Sequence, residues 1–395
     1  MTMVAAIETR TTDANLRSTP GRIASVAILN DLAEAEPMWR GFEDQEICTP
    51  YQRFDFLSAW QRRVGAPEGL SPFIVVARDV EARPLGLLPL AVKCEHGLRS
   101  ASFMGGKHAT FNMGLWNRDF ARTVTRADLD VLVSAISAGN DADVLALHQQ
   151  PLRWEDQTNP LALLPHQPAA NDCPLLIMDP GTQPAAPISN SFRRRLKGKE
   201  RKLQALAGYR YLLASSDVDV THLLDWFFRN KPLRMAEQKL PNIFADPGVE
   251  KFIRDACMSS LPNGRRVIDI HAIECDDEVI AIFAGVADGR RFSMMFNTYT
   301  MSGNSRHSPG LILMRDIIDH YARLNYHEFD LGIGSDEYKR LFCKSDEPIF
   351  DSFIALSLRG RMAAAAMSGV NRAKRLVKHN PALFEMAQKL RSAFR

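Results

Sequence analysis

The residues best suited to do chemistry lie in one stretch, Arg290 to Lys344. Arg291–Thr300 carries Phe292, Met294, Phe296 and Thr298 on one parity, the two-residue period of a strand. The polar loop Ser302–Ser308 breaks that strand, and Pro309 stands where the first turn of a helix tolerates a missing N–H. Backbone N–H groups and the positive end of a helix dipole meet at such a junction. Arg306, Ser308, Gly310 and Leu311 are therefore candidates to hold an anion such as pyrophosphate or carboxylate. Plain helix capping by Ser308 is the competing reading. Asp330 closes the next strand beside Gly332 and Gly334, where a carboxylate can reach a cleft or bind the N–H groups of the following loop. Glu328 shares its parity and is the substitute candidate. Tyr338 and Lys339 follow at the start of a short helix. Lys339 can hold a phosphate or carboxylate or sit exposed, and Tyr338 can face a cleft or pack on Phe342.

Two other chemistries fit poorly. Gly332-x-Gly334 is half of a dinucleotide fingerprint, but the third glycine is missing and Glu337 stands in its place. His307 and His108 are loop histidines without partner ligands, and the six cysteines show no metal spacing, so no metal is expected.

The elements that position these residues form a repeated order. In the first half a strand at Ile23–Leu29, a helix capped by Asn30 or Asp31 and running to about Phe42, and a helix at Phe54–Val64 precede three strands, Phe73–Arg78, Leu85–Val92 and Leu98–Met104. Gly105-Gly106-Lys107-His108 ends the third strand; a helix at Arg126–Ser137 and a strand at Asp143–His148 follow. In the second half a basic helix, a strand at Tyr209–Ala214 and helices at Val218–Met235 and Gly248–Ser260 come first. Three strands follow, Arg266–Glu274, Val279–Ala287 and Arg291–Thr300, then the loop, a helix with Leu311, Met314, Ile318 and Tyr321 on one stripe, and a strand at Tyr326–Leu331. Helix start and next strand start lie 17 residues apart in both halves (126 to 143, 309 to 326). The expected fold is α/β (α+β) with two similar lobes and a cleft between them. The division is 1–22 as an N-terminal tail, 23–170 and 171–357 as the lobes, and 358–395 as a basic helical tail.

Composition supports a globular protein: 395 residues, 46% hydrophobic and 24% charged, with a net charge of +3 that gives no general affinity for nucleic acid. The scattered cysteines fit reduced thiols, and the N-terminus lacks the apolar run of a signal peptide, so a cytoplasmic location is expected. Positive charge is local. Arg193–Lys202 holds seven basic residues against Glu200, and arginines such as Arg194 and Arg195 suit phosphates through paired hydrogen bonds. The tail from Arg359 onward can dock on the body, touch anionic lipid or bind an anionic regulator; Arg359, Arg361, Arg372 and Arg375 would suit a cyclic dinucleotide. Asn380-Pro381 is expected to cap a last helix with Leu383, Met386 and Leu390 on one stripe.

Several segments together resemble the BioF2-like acetyltransferase domain of CelD-type cellulose biosynthesis proteins, within the GNAT superfamily and akin to the FemAB peptidyltransferases. In the second half they are Tyr299…Ser308-Pro309-Gly310, Phe329-Asp330-Leu331-Gly332-x-Gly334, Tyr338-Lys339-x-x-Phe342 and the arginine-rich Arg193–Leu203. In the first half Pro72–Val76, Gly86–Leu90 and Phe103–Gly106 look alike too. The resemblance implies a tandem GNAT-like fold and acyl transfer to an amine in exopolysaccharide or adhesin biosynthesis. The donor would be acyl-CoA, acetyl or longer, or an acyl carrier protein, and the acceptor a small amine or a nucleotide- or lipid-linked sugar. It makes Tyr338 the candidate proton donor to the departing thiolate, with Asp330 or Glu328 orienting or deprotonating the amine. Contacts to substrate are expected from Lys339, Arg194, Arg195, Tyr299, Gly106 and His108. The usual pyrophosphate loop, Q/R-x-x-G-x-G/A, is replaced by Arg306-His307-Ser308-Pro309-Gly310, in which Pro309 removes one N–H. That departure leaves room for a regulatory protein without chemistry, responsive to a cyclic dinucleotide, and FemAB kinship leaves room for tRNA-dependent aminoacyl transfer. A peripheral place at the inner membrane face is compatible with the basic tail.

Overall fold

The computed structural model describes residues 22–178, 188–334, 336–380 and 383. Two mixed, mainly antiparallel sheets flanked by helices make up the two lobes. The first runs in the order Ser25–Leu29, Ser71–Arg78, Pro84–Glu95, Leu98–Phe103, Val144–Pro151, Ile349–Ala355 and Gln167–Pro168. The second runs Arg210–Leu213, Asp269–Glu274, Val279–Ala287, Arg291–Tyr299, Glu328–Asp330, Cys173–Ile177 and Ser345–Glu347. The sheets correspond strand by strand. In each, four antiparallel strands come first, the fifth is parallel to the fourth, and the sixth is antiparallel to the fifth.

The sixth strands are exchanged. Ile349–Ala355, which follows the second lobe in sequence, pairs with Val144–Pro151 of the first sheet. Cys173–Ile177, which leaves the first lobe, pairs with Glu328–Asp330 of the second. A cut at 170/171 and 357 therefore does not follow the sheets, because the last strand of the 171–357 stretch belongs to the first one. Sequence order suggested contiguous lobes; hydrogen bonding puts the strand between Val144–Pro151 and Gln167–Pro168.

Local chemistry explains the elements around the loop. Val279–Ala287 is apolar along its whole length and buried on both faces, as a central strand must be. Its neighbour Arg291–Tyr299 shifts register between Ala284/Phe296 and Gly285/Met294, so Met295 is a bulge residue that bends the strand just where it leaves Glu328–Asp330. The helix Pro309–Arg323 has proline at its first position and buries Ile312, Leu313, Met314, Ile317, Ile318 and Tyr321. Its apolar face is wider than the stripe expected, and Leu311 lies half-exposed at its edge.

The basic helix Asn190–Leu203 is stapled to it along one side, while Arg194, Arg195, Lys197, Arg201 and Lys202 make an exposed, solvated face. Arg193 forms two bonds to Asp319, at 2.6 and 2.8 Å, and Glu200 pairs with Arg315 at 2.9 Å. Helix Leu358–His379 lies on the first lobe: Arg372 donates to Gln167 (2.9 Å) and Arg375 to the Ala169 carbonyl (2.6 Å). Two of the four arginines expected for a cyclic dinucleotide are thus engaged in docking. The expected residues 1–22 tail and the last helix with Met386 and Leu390 lie outside the described residues, save Arg22 and Leu383. Among the described residues no helix is long and apolar enough to cross a membrane.

Candidate active site

The site grows from a gap in the second sheet. Arg291–Tyr299 pairs with Glu328–Asp330 only over Arg291–Ser293. Beyond the bulge the two strands part, and the residues from Met294 onward line cavities instead. A cavity of about 270 Å³ is bounded by Asn297, Tyr299, Ser308, Gly310, Leu311 and Tyr338. A second, of about 350 Å³, lies between the lobes and is bounded by His108, Thr110, Lys231, Asn297, Gly332 and Tyr338. Asn297 and Tyr338 belong to both walls.

The first cavity gathers most of the expected anion-holding residues. Ser308 adopts a left-handed backbone (φ +56°) and does not cap the helix; its hydroxyl instead receives a 2.7 Å bond from Lys199. The Ser308 and Leu311 N–H groups bond internally, to Ser305 and Ser308 carbonyls, so of the expected amides Gly310 alone keeps its N–H without a partner among the described residues. A side chain at Gly310 would press its Cβ to 3.3 Å from the Tyr299 ring. Arg306 is exposed, reaches toward His307 and does not line this cavity. His307 is held below its ordinary range by burial and by the charges of Arg306, Lys202 and Lys199, which marks the mouth of the loop as strongly cationic. Tyr299 lies under the Arg234 guanidinium at 3.3 Å and faces this cavity, not the interlobe one.

Tyr338 is half-buried. Burial pushes its phenol up to about 12, with a hydrogen bond to Asn297 opposing, so it stays protonated across the physiological range. In the interlobe cavity Trp60 donates to His108 Nδ1 at 3.0 Å. Trp N–H is donor only, so Nδ1 accepts and His108 carries its proton on Nε2. Burial, then Lys107, lower its pKa to about 4, so it is a neutral donor here. Lys231 donates to the Asn297 carbonyl at 2.9 Å and is lowered to about 8 by burial and then Arg234.

Other expected residues stand elsewhere. Lys339 is neither an exposed lysine nor a free anion clamp: it is buried and its ammonium holds the Gly332 and Ile333 carbonyls at 3.1 and 3.0 Å. Glu328 is tied to Arg291 (2.6 Å) outside both cavities, so it cannot replace Asp330 at the cleft. Asp330 is fully buried and does not reach the cleft directly. Its Oδ1 accepts from Ser293 (2.9 Å) and from Gly332 N–H (3.0 Å), while Oδ2 has no partner among the described residues. Of the two readings of Asp330, the structure shows the one in which it binds the N–H groups of the following loop, through Gly332. Arg194 and Arg195 are exposed and line neither cavity, Arg195 lying over Phe192. Gly106 borders a third cavity, of about 470 Å³, beneath the C-terminal helix; Lys107, Gln149 and Ile333 are common to that cavity and the interlobe one.

Residues 190–340, which contain the gap, the loop and Tyr338, match the model of an acetyltransferase (GNAT) domain. The second lobe is a GNAT-type acetyltransferase domain. With that domain the chain is an acyltransferase. Among solved structures it is similar to FemX (TM-score 0.54, 7% identity, covering 83% of this chain and 96% of that one). It is similar also to a domain described as the C-terminal part of a lysylphosphatidylglycerol synthetase from Agrobacterium fabrum (0.52, 11%, 86% and 96%). A Bacteroides thetaiotaomicron protein of unknown function is comparable (0.51, 10%, 84% and 100%). At such identities the likeness is one of fold, and it extends over both lobes. No curated protein matches the sequence.

Residues that sequence reasoning missed include Lys199, Asn297, Lys231, Tyr51, Ser293 and Thr110. Lys199 stood in the basic run without being singled out. Asn297 carried one usable signal, a polar side chain close behind the apolar residues of a strand that leads into the loop. Tyr51, Ser293 and Thr110 carried none.

Proposed function

We propose that the protein transfers an acyl group from a thioester, acyl-CoA or an acyl carrier, to the amine of a sugar or similar acceptor in exopolysaccharide or adhesin biosynthesis. The supporting observation is that Tyr338 and Asn297 wall two cavities at once, so a molecule in one can meet a molecule in the other beside a phenol that keeps its proton. The thioester occupies the loop cavity. Ser308, the Gly310 N–H and Lys199 hold its phosphates, with Arg306 and Lys202 adding charge at the rim. The amine enters from the interlobe cavity, attacks the carbonyl carbon and forms the C–N bond; the C–S bond breaks and Tyr338 protonates the thiolate. Holding the two partners in line supplies much of the rate, and no covalent enzyme intermediate is needed.

His108 and Lys231 contact the acceptor. The adjoining cavity carries Lys107, Lys374 and Lys378 beside Asn112, whose Oδ1 has no partner among the described residues. That lining favours an acceptor with an anionic end, such as a nucleotide- or lipid-linked sugar. Leu358, Met362, Val370 and Leu376 are exposed on the C-terminal helix near Arg359 and Arg361, which favours contact with an anionic membrane surface.

Titration calorimetry with acetyl-CoA, longer acyl-CoAs and acyl carrier protein tests the reading: binding by at least one, followed by transfer to a panel of amino sugars, is expected. Absence of binding by every thioester would sink it. Loss of activity on RNase treatment of a lysate would instead favour tRNA-dependent aminoacyl transfer.

A further inference from the structure

Asp330 is buried beyond reach of either cavity, yet it is joined to one of them by three hydroxyl groups. Ser293 Oγ lies 2.9 Å from Asp330 Oδ1, Tyr51 OH lies 2.8 Å from Ser293 Oγ, and Thr110 Oγ1 lies 3.0 Å from Tyr51 OH. Thr110 is part of the interlobe cavity wall, as is Gly332, whose N–H also bonds Asp330. The row crosses from one lobe to the other, since Tyr51 and Thr110 come from the first and Ser293 and Asp330 from the second.

Proton counting fixes what this row can do. Each hydroxyl has a single proton to give, so it can donate to only one neighbour at a time while accepting from the other. With Asp330 ionised, Ser293 must donate to the carboxylate; Tyr51 then donates to Ser293 and Thr110 to Tyr51. With the proton on Asp330 Oδ1, the oxygen that faces Ser293, every bond reverses, and Tyr51 donates to Thr110. The two arrangements differ by one proton carried between the cavity and the carboxylate, with no heavy atom moved.

We propose that Thr110, Tyr51 and Ser293 form the path by which the acceptor amine loses its proton to Asp330. The inference rests on the acyl-transfer reading above. As the amine nitrogen bonds to the carbonyl carbon, its proton passes to Thr110 Oγ1; the protons of Thr110, Tyr51 and Ser293 each move one place, and Asp330 receives the last. The thiolate takes its proton from Tyr338. Asp330 later returns its proton along the row and Tyr338 regains one from solvent, so the cycle closes without another reactant. Thr110 contacts the acceptor, while Tyr51, Ser293 and Asp330 act through it.

The surroundings suit a carboxylate that gains and loses a proton near neutrality. Burial raises Asp330 to about 7, against the opposing charge of Arg291 and the two bonds it accepts. The groups facing it are Arg291, Glu347, Cys173, Cys343, Lys339 and Tyr51. Lys339 and Arg291 are anchored on carbonyls and carboxylates, and both thiols are raised by burial, so none of the four competes for the proton.

The test labels the seven tyrosines with ¹³C at Cζ and follows their resonances from pH 5 to 9. The Tyr51 signal is expected to shift with a midpoint near pH 7, and to lose that shift in both Asp330→Asn and Ser293→Ala. A flat Tyr51 signal in the native protein, or one unchanged in Ser293→Ala, overturns the proposal. In acetyl transfer with the amino sugar the native protein accepts, Thr110→Val should lower kcat about tenfold or more with the KM for acetyl-CoA unchanged; an unaltered kcat also overturns it. Failure of every thioester to bind would defeat the acyl-transfer reading while leaving the tyrosine titration to be read by itself.

Discussion

Tyr51 and Ser293 share a 2.8 Å hydrogen bond although 242 residues separate them, and each comes from a different lobe. The bond is buried, so the two lobes are joined by polar groups as well as by apolar packing. A hydroxyl pair removed from water must keep its partners, since a buried donor left unpaired costs about 1–3 kcal/mol.

Tyr338→Phe removes the proton offered to the leaving thiolate together with the phenol's hydrogen bond to Asn297, and keeps the ring in place. We expect kcat to fall about 10²-fold or more, within the range for general acid catalysis. Acetyl-CoA affinity by calorimetry should stay within about threefold. A native kcat in this variant would remove Tyr338 from the chemistry.

Lys199→Ala leaves Ser308 without its donor and takes a charge from the mouth of the loop. CoA should bind about tenfold more weakly, equivalent to about 1.4 kcal/mol. Because part of the attraction is between exposed charges, native affinity should also fall with rising salt. Equal affinities in native and variant proteins at low salt would place the phosphates elsewhere.

Asp330 has a stability signature of its own. Its folded pKa, about 7, lies above that of an unfolded aspartate, about 3.9. Its contribution is therefore fully present below pH 4 and lost as pH rises through 7, because ionisation is harder in the fold than in water. The loss is roughly 2–4 kcal/mol. Asp330→Asn should melt higher than the native protein at pH 8, with the gap closing toward pH 5 in thermal scans. A pH-independent difference would contradict the raised pKa.

Gly332 has φ +69°, and an added Cβ would sit 3.0 Å from the Met294 carbonyl oxygen. Gly332→Ala should destabilise the protein by about 1–3 kcal/mol. It should also disturb the bond to Asp330 and the wall of the interlobe cavity, so a lower kcat is expected with the lower Tm.

The helix Pro309–Arg323 and the strands beside it were legible because period and punctuation agree: apolar stripe, N-terminal proline, polar loop. The loop's role as a cavity wall was legible for the same reason, and Tyr338 followed from resemblance. Lys339 was misread because a single turn of helix gives no period from which to tell inside from outside. Glu328 and Asp330 share parity, yet Arg291, which also pairs with Glu347, draws the one into an ion-pair cluster while Ser293 and Gly332 claim the other. Such choices depend on partners far away in the chain. The row from Thr110 to Asp330 was invisible for that reason, and so was the exchange of sixth strands.

That exchange also sets a timetable. During synthesis the first sheet has all but one of its strands once Pro168 has emerged, yet the strand between Val144–Pro151 and Gln167–Pro168 begins only at Ile349, 181 residues later (349 − 168). At about 5–20 residues per second the nascent chain waits roughly ten to forty seconds with an open edge in the middle of that sheet. An N-terminal lobe made by itself would keep that edge open for good, ready to pair with whatever strand it meets.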